Sequence, residues 1–223
     1  ETRCPVHVVH VSAAEAIPLI AEARRAGTPI TAETCPHYLS LVAEDIPRGA
    51  THFKCAPPIR DPADREGLWS GLADGVLDLV ASDHSPCPPD LKCRESGSFV
   101  DAWGGISSLQ LSLRVTWTEA ARRGYDLPRI VSWMCEGPAR LAGLAHRKGR
   151  LAEGYDADFV IFDPDADAVV DAGQLFHRHP LTPYEGSPQR GRVVASYVRG
   201  ILVFDDGAFP EVCPGRWLKR GET

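Results

Sequence analysis

Pro5-Val6-His7-Val8-Val9-His10-Val11 is nearly continuous in apolar and β-branched residues, the pattern of a strand buried on both faces. Ser12 follows, with Glu15 three residues on, which is capping-box spacing. The helix this predicts runs through Ala16, Ile17, Leu19, Ile20 and Ala23 and stops at Gly27. Ile30-Thr31-Ala32-Glu33-Thr34 reads as the next strand. Strand, helix and strand at this spacing form a βαβ unit, whose two strands lie parallel in one sheet.

The pattern continues downstream. Cys35-Pro36-His37-Tyr38 is a proline-containing turn, and Thr51-His52-Phe53-Lys54-Cys55 is a β-type piece ending at Pro57-Pro58. Asp61 to Asp74 reads as an amphipathic helix carrying Leu68, Trp69 and Leu72, closed by Gly75. Val76-Leu77-Asp78-Leu79-Val80-Ala81 is the following strand and runs into Ser82-Asp83-His84-Ser85-Pro86. Three such strands cannot close a barrel alone, but they fit as the last strands of an eight-stranded one. Residues 106–145 read as helical, first through Leu109, Leu111, Leu113, Val115 and Trp117. A second helix starts at Leu127-Pro128 and breaks at Gly137-Pro138. After Gly149 the character changes to short strands: Ala157–Phe162, then Arg192–Val198 and Ile201–Phe204 around Gly200 as a hairpin-like pair.

The expected fold class is therefore α/β: the C-terminal part of a (β/α)8 barrel over residues 1–148, followed by a small β-rich module over 149–223. The chain opens without a Met and enters a strand almost at once, so a cut through the middle of a larger fold is expected.

Composition narrows the partners. The 223 residues carry a net charge of −6, and the basic pairs Arg24-Arg25, Arg122-Arg123 and Arg147-Lys148 are short and scattered. Neither nucleic acid nor an anionic membrane is an expected partner. No apolar stretch approaches the roughly 20 residues that cross a bilayer, and a cytoplasmic location is expected. The 7 cysteines stand in no C-x-x-C pair, which argues against a thiolate zinc site and for buried free thiols in a reducing compartment.

Barrel enzymes carry their chemistry where strands end and loops begin. Two residues meet that rule with metal-ligand chemistry: His10, next to last in its strand run, and Asp83, just past the Val76–Ala81 strand. A buried imidazole and a buried carboxylate on one rim are costly unless they bind something, and Zn2+ accepts both. His7 lies at odd spacing from His10, so it is expected on the opposite face, packed between sheet and helices. His37 and His84 follow strand-end motifs and are candidates to reach a substrate, whereas His52, His146, His177 and His179 read as solvated or structural. Gly104, after Trp103, allows close backbone approach to a ligand. Pro57-Pro58 stiffens the strand exit that presents the backbone of Ala56.

Taken together these segments resemble the cyclic amidohydrolases, and within them the allantoinases. The resemblance is carried by His7-Val8-Val9-His10-Val11-Ser12, Ala32-Glu33-Thr34-Cys35-Pro36-His37-Tyr38-Leu39 and Phe53-Lys54-Cys55-Ala56-Pro57-Pro58-Ile59-Arg60. It continues through Ser82-Asp83-His84-Ser85-Pro86-Cys87, Ala102-Trp103-Gly104-Gly105-Ile106, Lys148-Gly149-Arg150-Leu151, Gly154-Tyr155-Asp156-Ala157-Asp158 and His179-Pro180-Leu181-Thr182-Pro183-Tyr184. It implies a centre of two divalent metal ions, zinc being the expected species, bridged by a carboxylated lysine that this chain does not contain. His10 would bind one ion. Asp83 would bind the other and take a proton from the attacking hydroxide, while backbone near Ala56 and Gly104 holds a cyclic ureide. It also implies hydrolysis of allantoin to allantoate by a homo-oligomer, a tetramer, with hydantoinase or dihydropyrimidinase chemistry as the near alternative. A non-catalytic assembly module is the distant one. With the first-strand ligands absent, the isolated chain is expected to be inactive.

Overall fold

The computed structural model describes residues 4–219. Its pivot is β2 (Ile30–Thr34), which lies parallel between β1 (Val6–Val8) and β3 (Leu79–Val80). Register runs from Val6 opposite Ile30 to Val8 opposite Ala32 on one side. On the other, Glu33 faces Leu79 and Thr34 faces Val80. Helix α1 (Ala16–Arg25) makes the β1-to-β2 crossover. The short α2 (Pro36–Ser40) and then α3 (Pro62–Ala73) lie between β2 and β3. α3 starts as its sequence predicts, with Asp61 accepting from the Asp64 amide and Pro62 in the first turn.

Several expectations are corrected. β1 ends at Val8 and is not buried on both faces: Val6 and Val9 are each 48% exposed, because β1 has only β2 beside it among the described residues. The capping box does not form. Ser12 instead accepts a hydrogen bond from Arg60 Nε at 3.0 Å, and the Ala14 amide donates to Asp64 Oδ1 at 2.6 Å, so contacts with the α3 region replace the local cap. Thr51–Phe53 is a 3-10 turn rather than a strand, tucked in by the Thr51 hydroxyl, which donates to the Lys92 carbonyl. The Val76–Ala81 strand shrinks to Leu79–Val80; at Asp78 the backbone amide donates to Ala32 O and the carboxylate accepts the Ala32 amide, both at 2.8 Å.

The helical layer consists of α4 (Ser112–Arg122), α5 (Leu127–Val131) and α6 (Gly137–Ala142). Gly137-Pro138 does not break the second helix. A π-helical segment, Ser132–Glu136, joins α5 to α6, and the Gly137 amide donates to Ser132 O, the i→i−5 pairing of a π turn. The widened turn seats Gly137 against the sheet: a Cβ there would lie 2.6 Å from Asp78 O and 2.8 Å from Leu79 Cβ. Trp69, 2% exposed, anchors the core below, with its indole donating to Leu39 O at 3.0 Å and its ring 5.7 Å from that of Tyr125.

The remainder is an antiparallel sheet, β4 (Phe159–Val169), β5 (Pro188–Val198) and β6 (Ile201–Asp205). β5 and β6 extend beyond the runs expected from sequence, whereas β4 starts two residues later than expected, at Phe159, and runs on to Val169. Arg199 and Gly200 both have positive φ, as a two-residue hairpin between twisted strands requires. The Asp-rich turn before β4 is an ion-pair knot: Arg147 Nε meets Asp156 Oδ2 at 3.0 Å, and Lys148 bridges Asp156 and Asp158. The sheet leans on α4, where Trp117 Nε1 donates to Pro164 O at 2.9 Å and the Arg190 amide to Thr118 Oγ1 at 2.9 Å. The link between β4 and β5 reaches farther, burying Tyr184 (2% exposed) and joining Thr182 Oγ1 to Ser107 O at 2.8 Å.

Candidate metal centre

The backbone ladder of the parallel sheet carries past its formal ends and draws three loops together. The Val11 amide donates to Glu33 O at 2.8 Å and the Ala81 amide to Thr34 O at 3.0 Å. His10 leaves β1 at this rim, Cys35 and His37 leave β2, and Asp83 leaves β3. Cys35, His37 and Asp83 each bring a ligand atom to within 4.8 Å of the others. Cys35 and His37 are buried and Asp83 is half-buried.

His10 and Asp83 both adopt the left-handed backbone region, with φ of 42° and 44°. Non-glycine residues seldom sit there. His10 Nδ1 and both ring nitrogens of His37 are buried without a hydrogen-bond partner. An unsatisfied buried polar group costs about 1–3 kcal/mol, so two such imidazoles side by side are expensive unless an electrophile takes their lone pairs.

The charges agree. Burial lifts the Asp83 carboxyl above its ordinary range; the His10 charge pulls it back, and Glu33 lifts it again. Burial, with a further push from His10, lowers His37 to about 3, so its ring is neutral and its lone pair is free. Burial also raises the Cys35 thiol, helped by Asp83 and Glu33. The neutral imidazole and the carboxylate within one small volume are donors that fit a divalent cation; the Cys35 sulfur would join them only as the thiolate.

The other expected site residues divide. Ala56 and Gly104 meet: a Cβ on Gly104 would lie 3.6 Å from Ala56 Cβ and 3.7 Å from Ala56 N. Ala56 is exposed and Gly104 half-buried. Their loop is tied to the donors by Tyr38, whose hydroxyl donates to Pro57 O at 2.6 Å, across an Ala56–Pro57 bond that is cis. Cys55, next to Ala56, has its thiol pushed up to about 11, chiefly by burial, with Asp83 among the lesser causes. His84 has one ring nitrogen engaged in backbone bonds. Its Nδ1 accepts the Ser108 and Leu109 amides, both at 3.0 Å, and its ring lies 4.9 Å from that of His177.

His7 bonds Thr31 Oγ1 at 2.8 Å and Glu33 Oε2 at 2.9 Å. Both ring nitrogens of His177 are buried, as a structural histidine's would be. One sequence expectation is revised here: the thiols are not all interior, since Cys4, Cys135 and Cys213 are exposed. Cys35 and Glu33 were not singled out as site residues. The available signal was the alternation Glu33-x-Cys35-x-His37 across the end of the central strand.

A family model described as the amidohydrolase family matches residues 4–203. The allantoinase of Streptomyces avermitilis is 50% identical over 215 residues, covering 96% of this chain and 47% of the relative. That of Saccharomyces cerevisiae is 46% identical over 200 residues, covering 90% of this chain and 43% of the relative. Among solved structures, L-hydantoinase from Arthrobacter aurescens superposes with a TM-score of 0.86 at 36% identity, covering 93% of this chain and 46% of that one. D-hydantoinase from a Bacillus sp. gives 0.87 at 34% identity, with the same coverage. The chain thus spans less than half the length of the relatives it matches. No helix among the described residues is long and apolar enough to cross a membrane. Parallel strands ending on a rim of unpaired metal-type donors, and a match that runs through nearly all of the chain, lead to one conclusion: it belongs to the amidohydrolase family.

Proposed function

We propose that this chain is the C-terminal portion of a metal-dependent allantoinase, which opens the hydantoin ring of allantoin by hydrolysis to give allantoate. The observation that carries the choice of substrate is the identity to allantoinases, 50% and 46% over nearly the whole chain. On this reading residues 1–148 are the barrel portion and 149–223 an appended module, in a cytoplasmic homotetramer. The remaining ligands, including a carboxylated lysine, come from outside the chain.

His10 and Asp83 would hold the divalent ions, zinc being the expected species, with Cys35 and His37 lining the same volume. When bound, the ions supply an acidified water and polarise the ring carbonyl. Asp83 accepts the proton of the attacking water and returns it to the leaving ring nitrogen. Ala56 and Gly104 lie side by side, and their backbone groups would hold one edge of the ureide ring. His37 shapes the wall from within, and His84 orders the loop that follows Asp83 through the Ser108 and Leu109 amides.

The solved hydantoinases favour a second reading, the same chemistry on another cyclic ureide. Steady-state turnover of allantoin, hydantoin and dihydrouracil by the full-length protein separates the two. Allantoin should have the highest kcat/KM, and preference for either other ring overturns the assignment.

A further inference from the structure

Lys92 closes the 3-10 turn Pro89–Lys92 and is only 4% exposed. An ammonium has three donors, and here all go to backbone carbonyls: Lys54 O at 2.9 Å, Trp103 O at 3.0 Å, and Gly105 O. Trp103 and Gly105 flank Gly104 on one strip of chain, and Lys54 lies two residues before Ala56 on the other. The strips are laced from the opposite direction as well. Lys54 Nζ donates to Ala102 O at 2.6 Å and Val100 O at 3.1 Å, and the Gly105 amide donates to Lys54 O at 2.9 Å. The Lys92 backbone is pinned in turn, because its carbonyl accepts the Thr51 hydroxyl.

We propose that Lys92 is a positioning residue, whose buried ammonium sets the spacing between the Lys54–Ala56 strip and the Trp103–Gly105 strip, and with it the backbone at Ala56 and Gly104 that would hold one edge of the ureide ring. A lysine needed only for folding would tie one element to another at any point of contact. This one bonds both strips at once, and without it the Trp103 and Gly105 carbonyls would lose this donor and the Lys54 carbonyl would keep only the Gly105 amide. Its effect on catalysis rests on the reading of Ala56 and Gly104 as ring-holding backbone. The spacing itself rests on the hydrogen bonds alone.

The test uses the full-length protein with Lys92→Met and Lys92→Arg, followed by amide hydrogen exchange and steady-state kinetics on allantoin. Losing a charge-assisted bond should speed exchange of the 54–56 and 103–106 amides about tenfold, with α1, α3 and β5 unchanged. KM should rise about tenfold while kcat moves less than about threefold. Lys92→Arg, which keeps a donor-rich cation, should fall between wild type and Lys92→Met in both readouts. If Lys92→Met folds too poorly to study, Lys92→Arg carries the test, with a smaller shift confined to the same amides. Unchanged exchange in the two strips, or acceleration spread evenly through the chain, overturns the proposal. If the wild-type protein hydrolyses no cyclic ureide, the proposed function fails and exchange still decides the role of Lys92.

Discussion

His10 and Asp83 stand at the ends of two different parallel strands in the same left-handed backbone conformation, φ 42° and 44°. Each such residue costs on the order of 1–3 kcal/mol and persists only where its surroundings over-determine it. Both flank the end of β2, whose ladder contacts to Val11 and Ala81 fix the chain beside each of them. Strain at two donors on one rim marks a place where side-chain direction outweighs backbone comfort.

In the full-length protein Asp83→Asn should lower kcat by about two to four decades, the usual scale of a general acid–base step, with smaller change in KM. Asn keeps an oxygen donor but cannot carry the proton. Metal analysis beside the kinetics checks it: near-normal kcat at full metal content would reduce Asp83 to a structural role.

His10→Ala should fail in the opposite order. Removing a ligand lowers metal affinity by about tenfold or more, so metal content falls first and excess metal restores part of kcat. A variant that stays fully loaded yet inactive would contradict the ligand assignment.

His37 makes the stability of the metal-free protein depend on pH. Its folded value is depressed to about 3, so the unfolded chain binds the proton more readily. Stability is therefore fully present above the unfolded value of about 6.5 and is lost as pH falls toward 3. Between pH 7 and pH 5 the loss should be about 2 kcal/mol. Urea unfolding at the two pH values, for wild type and His37→Phe, measures it; the same loss in both would remove His37 as the cause.

Adjacent glycines should respond differently. A Cβ at Gly105 would lie 2.5 Å from Ser85 O and 2.6 Å from Ser85 Oγ, so Gly105→Ala should destabilise the fold by about 1–3 kcal/mol. At Gly104 the nearest atom is Ala56 Cβ at 3.6 Å, an ordinary contact. Gly104→Ala should leave the melting temperature close to wild type and raise KM by setting a methyl group beside the backbone that holds the ring. Melting curves and KM for both variants decide the matter.

Where local chemistry sets an element, the sequence was readable. Asp61-Pro62 starts α3, and Arg199-Gly200 turns β5 into β6. Where a distant residue supplies the partner, it was not. Ser12 resembles a cap, but Arg60, 48 residues on, takes its hydroxyl. The apolar run around Val6 and Val9 suggests a strand covered on both sides, yet coverage is a property of neighbours rather than of the run. His10 and Asp83 could be picked out because strand ends are visible in a pattern of apolar residues. Cys35 could not, because a thiol beside a strand reads as packing until the rim brings Asp83 to it. The tie of His84 to a distant segment was equally hidden: its Nδ1 accepts the Ser108 and Leu109 amides, 24 and 25 residues on.

Tyr184 and Thr182 belong by position to the part of the chain that reads as a separate module, yet one is sealed in the barrel core and the other is bonded to Ser107. The antiparallel sheet on the far side of that link is held to α4 through Trp117 and Thr118. Neither part can come apart without stripping partners from the other. Heat or denaturant should therefore take both through a single cooperative transition, and a protease cut near Gly149 should not release a β-rich piece that stays folded alone.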